Sequence, residues 1–249
     1  DCVAVGYGAL DAANLGEHRC VAIGSGALGA ETSSASDCVA VGCNALALQN
    51  ANVKNTAIGG LAGDAITDGD RNTLLGYLSG SAVTGGDDNV CVGSMAMAKG
   101  TGGQNVVVGS LAGSSTSNTA AAMAGSYNVL LGYAAGYDLT DGPGNILIGG
   151  AAGVNITTGD YNIAIGYQAA DAMIGGDVNL AIGINALGAE DAASNCIAIG
   201  GNALEVQNSD AAVNLAIGRY AGDSITTGTQ NALIGHEAGA ALQDDSYNT

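Results

Sequence analysis

Two histidines, six cysteines and 23 acidic residues are the side chains of this chain with the most obvious chemistry. Their spacing argues against catalysis. His18 and His236 stand near opposite ends of the sequence, and no nucleophile–base pair or acid dyad recurs at a suggestive interval. Cys43 and Cys91 have no metal-ligand spacing with one another or with a histidine. Cys2, Cys20, Cys38 and Cys196 share one position of a repeat described below, and consecutive thiols on one ladder do not make a disulfide framework. The acids in Asp68-Gly69-Asp70 and Gly86-Asp87-Asp88 offer oxygen to a cation such as Ca²⁺. Neither an EF-hand loop nor a glycine–aspartate nonapeptide surrounds them, so no cofactor is expected. The net charge of −18, with only five Lys and Arg, argues against nucleic acid as a partner and suits a solvating coat.

All these residues sit on a repeat. The phrase Asn162-Ile163-Ala164-Ile165-Gly166-Tyr167-Gln168-Ala169 recurs with its glycine at residues 6, 24, 42, 59, 76, 93, 109, 132, 149, 166, 183, 200, 218 and 235. Most intervals are 16 to 18 residues, and one is 23. A period of this size marks a solenoid, in which no repeat buries its apolar face alone. The chain reads as a single repeat domain over 1–249, opening and closing inside the phrase, as a fragment of a longer fibrous protein would. With 42 Gly, one Pro, no Trp and no Phe, its core must come from small and branched aliphatics in narrow layers. A Gly or polar residue interrupts every phrase, so no apolar run reaches the roughly 18 residues that membrane insertion requires.

Counting the anchor glycine as zero, position −1 is Val, Ile or Leu throughout. This predicts a core column of Ile23, Ile58, Leu75, Val92, Val108, Leu131, Ile148, Ile165, Ile182, Ile199, Ile217 and Ile234. Position −3 shares that face by the period of two. Position −2, between them, is mostly Ala, and a strand apolar on both faces is normally covered on both. Ala57, Ala164, Ala181 and Ala198 are therefore expected at an interface with neighbouring protomers, where small residues admit a second backbone. Position +3 is Ala in all copies but one, Ser79, and Gly recurs near +10 in turn-forming linkers such as Thr157-Thr158-Gly159-Asp160. Position −4 is Cys in the four copies named above and Asn in the rest: Asn55, Asn72, Asn89, Asn105, Asn128, Asn145, Asn162, Asn179, Asn214 and Asn231. Stacked about 4.8 Å apart, these amides should bond in a ladder along the axis. The long interval contains Thr116, Ser117, Asn118 and Thr119, an insertion expected to loop outward and offer a contact site.

The phrases Cys20-Val21-Ala22-Ile23-Gly24 and Asn195-Cys196-Ile197-Ala198-Ile199-Gly200 resemble the head repeats of trimeric autotransporter adhesins. Asn55-Thr56-Ala57-Ile58-Gly59 and the Gly166 phrase resemble the Asn-Thr-Ala-Ile-Gly-Tyr repeats of phage tail-fibre-like proteins. The resemblance covers the whole chain. It implies an all-β, parallel β-solenoid, a left-handed β-roll or β-helix of about fourteen coils of ~17 residues, trimerised side by side. It also implies an extracellular, cell-surface or virion fibre that presents a tip to a host cell-surface receptor or glycan.

Three alternatives have sequence features of their own. Ile165-Gly166-Tyr167-Gln168-Ala169 matches one hexapeptide of the trimeric acyltransferases, but those resemble three hexapeptides per coil and need a histidine paired across subunits. Nine Tyr as the only aromatics argue against the stacking platforms of sugar-degrading spikes. Ice binding asks for a regular threonine face, whereas Thr-Thr pairs occur only at Thr157-Thr158 and Thr226-Thr227.

Overall fold

The structure is a computed structural model, and it describes residues 1–11, 19–30, 37–49, 54–115, 123–189, 192–208 and 213–249. The chain divides into two compact units, Asp1–Tyr127 and Asn128–Thr249. Each unit takes a three-residue strand from every repeat, where β-branched residues flank a small or aliphatic one. The first unit's strands are Val3–Val5, Val21–Ile23, Val39–Val41, Thr56–Ile58, Thr73–Leu75, Val90–Val92 and Val106–Val108. Those of the second are Val129–Leu131, Ile146–Ile148, Ile163–Ile165, Leu180–Ile182, Ile197–Ile199, Leu215–Ile217 and Ala232–Ile234. Within each unit every strand pairs in parallel with the next, and equivalent positions fall in register, Ala164 against Ala181 and Ala181 against Ala198. A smaller sheet, Ala82–Val83 with Lys99–Gly100, forms on the first unit, and Met123 bridges to Gly100. No helix occurs among the described residues. The architecture is the parallel β-solenoid that the repeat predicts.

Stacking dictates the anchor glycine. Each of these glycines has φ between +133° and +144°, a region L side chains avoid. A β-carbon on Gly166 would lie 2.4 Å from the carbonyl oxygen of Gly183, and one on Gly59 would lie 2.3 Å from that of Gly76. The glycines thus form a column in which backbone rests on backbone. Other corners are left-handed without glycine: Gln168, Ala170 and Val178 in one coil, Asn185, Leu187 and Asn195 in the next, all have φ between 53° and 61°. Left-handed geometry disfavours an L residue by about 1–2 kcal/mol. Hydrogen bonds to the coil above hold these corners, as where Ala170 N–H donates to Ala186 O at 2.9 Å and Leu187 N–H to Ala203 O at 2.9 Å.

The expected asparagine ladder is present, with a different wiring. Asn72 N–H donates to Asn55 Oδ1 at 2.8 Å, Asn89 N–H to Asn72 Oδ1 at 2.9 Å, and the pattern continues through Asn145, Asn162 and Asn179. The amide nitrogens of Asn72, Asn162 and Asn214 donate to the carbonyls of Gly86, Gly176 and Gly228, in the turn that closes each repeat. Direct amide-to-amide bonds are fewer, as from Asn105 to Asn89 and from Asn179 to Asn162, both 3.1 Å. Most rungs therefore tie side chain to backbone. One buried amide satisfies the start of its own coil's neighbour and the end of its own coil.

The facing of the strand is the reverse of the sequence expectation. Ala57, Ala164 and Ala198 are fully buried inside their own coils, and Ala181 nearly so, so these alanines are core residues and not interface candidates. Ile23, Ile58, Leu75 and Ile234 are exposed, while Val92, Val108, Leu131, Ile148, Ile165, Ile182, Ile199 and Ile217 are half-buried on the outer side. The interior is instead lined by positions −4, −2, +3, +4 and +7, the last including Ile66, Ile156, Met173 and Ile225. The physical reason is width. Across the coil, position −2 opposes +4, and the two share a fixed volume. Leu74, Leu130, Leu147 and Leu233 at −2 each face a glycine at +4, namely Gly80, Gly136, Gly153 and Gly239. A β-carbon on Gly80 would come within 2.8 Å of Leu74 Cδ2. Conversely Leu28, Leu46, Leu187 and Leu204 at +4 are buried over Ala22, Ala40, Ala181 and Ala198. A bulky residue fits on one side only.

Two outcomes follow for unfolding experiments. Gly166→Ala should lower the unfolding free energy by about 3 kcal/mol or more, since clash and strained φ act together. Gly60→Ala, with nothing nearer than 3.7 Å and no positive φ, should be close to neutral in the same urea titration. Ala164→Asp should abolish folding of its coil, because it buries an unpaired charge, whereas Ile165→Asp should leave the circular dichroism spectrum of a folded chain. Equal loss of structure in the two Asp variants would contradict the facing.

Candidate interaction surface

Because −2 points inward, −3 and −1 point out, and the outer side of each sheet carries two columns of branched aliphatics. Ile58 is 41 % exposed, Leu75 44 % and Ile197 37 %. No repeat places a charged residue at either position, and the polar exceptions are Thr56 and Thr73. Seven strands at about 4.8 Å spacing, two residues wide, give each unit a flat apolar face of roughly 300 Å². That is the scale at which exposed apolar surface on a soluble protein marks an interaction site.

Tyrosines border this face on both sides. Tyr7, Tyr77, Tyr133 and Tyr167 occupy +1, and Tyr127, Tyr161 and Tyr247 occupy −5, all exposed. An aromatic body with a polar tip suits the edge between apolar contact and water. Near the same edge, Arg219 lies 4.4 Å from the centroid of the Tyr220 ring. His236 meets that ring edge-on at 6.4 Å, and its Nδ1 lies 3.7 Å from Glu237 Oε1. The histidine is 60 % exposed and has no nucleophile within this group. His18 lies outside the described residues.

Many acids prove to have backbone tasks. Lys54 N–H donates to Asp70 Oδ1 at 3.0 Å, Asp70 N–H to Asp87 Oδ1 at 2.8 Å, and Asp160 N–H to Asp177 Oδ1 at 2.8 Å. Ser194 and Ser246 do the same for Asp177 and Thr229. Position +11 is thus a column of acceptors that caps corner N–H groups one coil away. Arg71 grips Asp88 through two bonds and touches Asp70; Arg19 grips Asp37 in the same axial manner. The guanidinium beside each of Asp37 and Asp88 holds its carboxyl below the usual range. No group of three His, Cys, Asp or Glu arranged to hold a metal occurs among the described residues.

Threonine also forms a column, at +8, which a search for Thr-Thr pairs misses. Thr67 Oγ1 donates to Thr84 O at 3.2 Å, Thr140 to Thr157 O at 2.9 Å and Thr157 to Ile174 O at 3.1 Å. These hydroxyl protons are turned along the axis, not toward solvent. A groove of about 270 Å³ between neighbouring coils is lined by Gln168, Asp171, Asn185, Glu205 and Val206. Burial, with the charge of Glu205 adding to it, raises the Asp171 carboxyl. The expected contact loop, Thr116, Ser117, Asn118 and Thr119, lies outside the described residues.

One acceptor of the column, Asp160, faces a residue with no N–H to offer. Asp160 occupies +11, and the equivalent residue one coil earlier is Pro143, which has no N–H to donate. Burial and the charges of Asp177 and Asp141 raise the Asp160 carboxyl. A raised folded-state pKa means stability that is present below the unfolded value and lost as pH rises. Asp160→Asn should therefore raise the melting temperature at pH 7, and the gain should vanish as pH falls below about 4. A gain that persists unchanged at low pH would exclude ionisation as its source. Comparison of the chain with protein-family models, curated proteins and solved structures gives no match.

Proposed function

We propose that this chain is a structural segment of an extracellular, cell-surface or virion fibre, assembled as a parallel homotrimer through its outer strand faces. The observation that carries this reading is the uncharged aliphatic face itself. Every repeat renews it at −3 and −1, and no part of the chain described covers it. The logic of a strand apolar on both sides is retained, with the faces exchanged: alanine fills the coil, and Val, Ile and Leu meet the neighbouring chain. Three copies around an axis would shield these columns in a closed symmetry and leave the acidic corners in water. The resemblance to adhesin heads and phage tail-fibre repeats supports the same reading. In such a fibre the segment holds or presents a tip that binds a host receptor or glycan.

Light scattering coupled to size exclusion tests the assembly. The wild type should have three times the single-chain mass of 23.9 kDa. Ile148→Glu with Ile165→Glu should reduce it to one chain or prevent stable association, while the β-sheet spectrum persists. A single-chain mass for the wild type would overturn the trimer and leave a lone solenoid that lays its flat face on another surface.

A further inference from the structure

We infer that Cys20 and Cys38 are a disulfide site that covalently joins successive coils in an oxidising environment. The inference does not rest on the fibre reading. Both residues occupy position −4, on adjacent parallel strands in register, where Val21 pairs with Val39 and Val21 N–H donates to Cys38 O at 2.9 Å. Successive rungs stand about 4.8 Å apart, inside the roughly 4.4–6.8 Å between α-carbons that disulfides span. Asparagines at the same position demonstrate that side chains here reach one another, as Asn179 reaches Asn162 and Asn105 reaches Asn89 at 3.1 Å. Both thiols are buried, and Gln49 Nε2 donates to Cys38 Sγ at 3.0 Å, holding that side chain within the column.

The exchange of Asn for Cys gives the bond a purpose. Elsewhere the asparagine clamps its coil to the next one and to its own closing turn. A disulfide would add a covalent axial tie where the column carries thiols in place of amides. The rungs on either side of Cys196 are Asn179 and Asn214, not cysteines. Contact with Cys20 and burial push the Cys38 thiol above its usual range, so its oxidation needs the coil to open. The reaction is a two-electron oxidation by a low-molecular-weight disulfide. One thiolate attacks oxidised glutathione and releases glutathione thiolate; the second cysteine, as thiolate, displaces the other glutathione. The two cysteines lose their protons, and two molecules of glutathione carry the electrons away.

The whole chain, incubated with oxidised glutathione in sub-denaturing urea, should yield a reductant-sensitive peptide linking Cys20 to Cys38 on non-reducing digestion. After unfolding, Cys91 and Cys196 should remain alkylatable. The melting temperature should rise by roughly 5–10 °C relative to the reduced chain. Cys196→Ser should keep that rise and Cys38→Ser should lose it. Full alkylation of Cys20 and Cys38 after oxidation, or a bridge from Cys20 to Cys2 instead, overturns the assignment, and the peptide map decides even if Cys38→Ser fails to fold.

Discussion

Along the column of anchor glycines, the next coil's carbonyl oxygen stands where a β-carbon would have to be. The approach of about 2.3–2.6 Å between that absent carbon and the next coil's backbone is the constraint on which the structure depends. It fixes the coil spacing at the point where the strand ends and the chain must turn. Spacing in turn sets which groups can meet: the asparagine carbonyl reaches the next N–H, the acceptors at +11 reach theirs, and the strands pair in register. The backbone bonds follow the axis, so the energy of the fold is largely between coils and little of it within one. This is why left-handed corners without glycine are tolerated. A coil that relaxed its corner would lose bonds to two neighbours.

The outer face follows from the same geometry. A coil so narrow has room for one large residue across positions −2 and +4, which limits how much apolar surface the interior can absorb. The branched aliphatics that favour the strand are thus displaced to the outside, where only another surface can cover them. Where the inward residue of the strand is Ala, the strand points its smallest side chain in and its larger ones out, and the bulk of the interior comes from +4 and +7.

The period, the strand, the turns, the anchor glycines and the buried asparagine column are legible in the sequence, since each repeats at one position with one physical task. The facing of the strand is not legible from alternation. Positions −3, −2 and −1 are all apolar, and with a side-chain period of two a shift by one residue exchanges every inward residue for an outward one. Side-chain size does not decide the facing either, because beside an inward Ala the larger residues of the strand point outward. The signal that decides the matter was available: Leu at −2 always occurs with Gly at +4, and Leu at +4 always with Ala at −2. Two positions can trade volume only if they share an enclosed space. The acceptor column of Asp70, Asp87 and Asp177 is hidden differently, because it uses Asp and Ser interchangeably and looks like ordinary polar surface.

Three coils have small residues at both sites, Ala164 with Ala170 in the Gly166 coil among them, and the other two mark one kind of junction. In the coils of Gly59 and Gly218 both sites are small, Ala57 with Gly63 and Ala216 with Gly222. A β-carbon on Gly63 would meet Leu46 from the coil before and Leu74 from the coil after; one on Gly222 would meet Leu204 and Leu233 in the same way. Each of these coils stands where a run with its leucine at +4 gives way to a coil with its leucine at −2. The repeats consequently have a grammar. Unequal recombination that duplicated or deleted the Gly183 coil, whose next neighbour has the same pattern, would leave a sentence that still parses. Loss of the Gly218 coil would set Leu204 directly against Leu233, with no intervening space for both. Such a chain can lengthen by copying within a run, but the junctions between runs must be inherited whole.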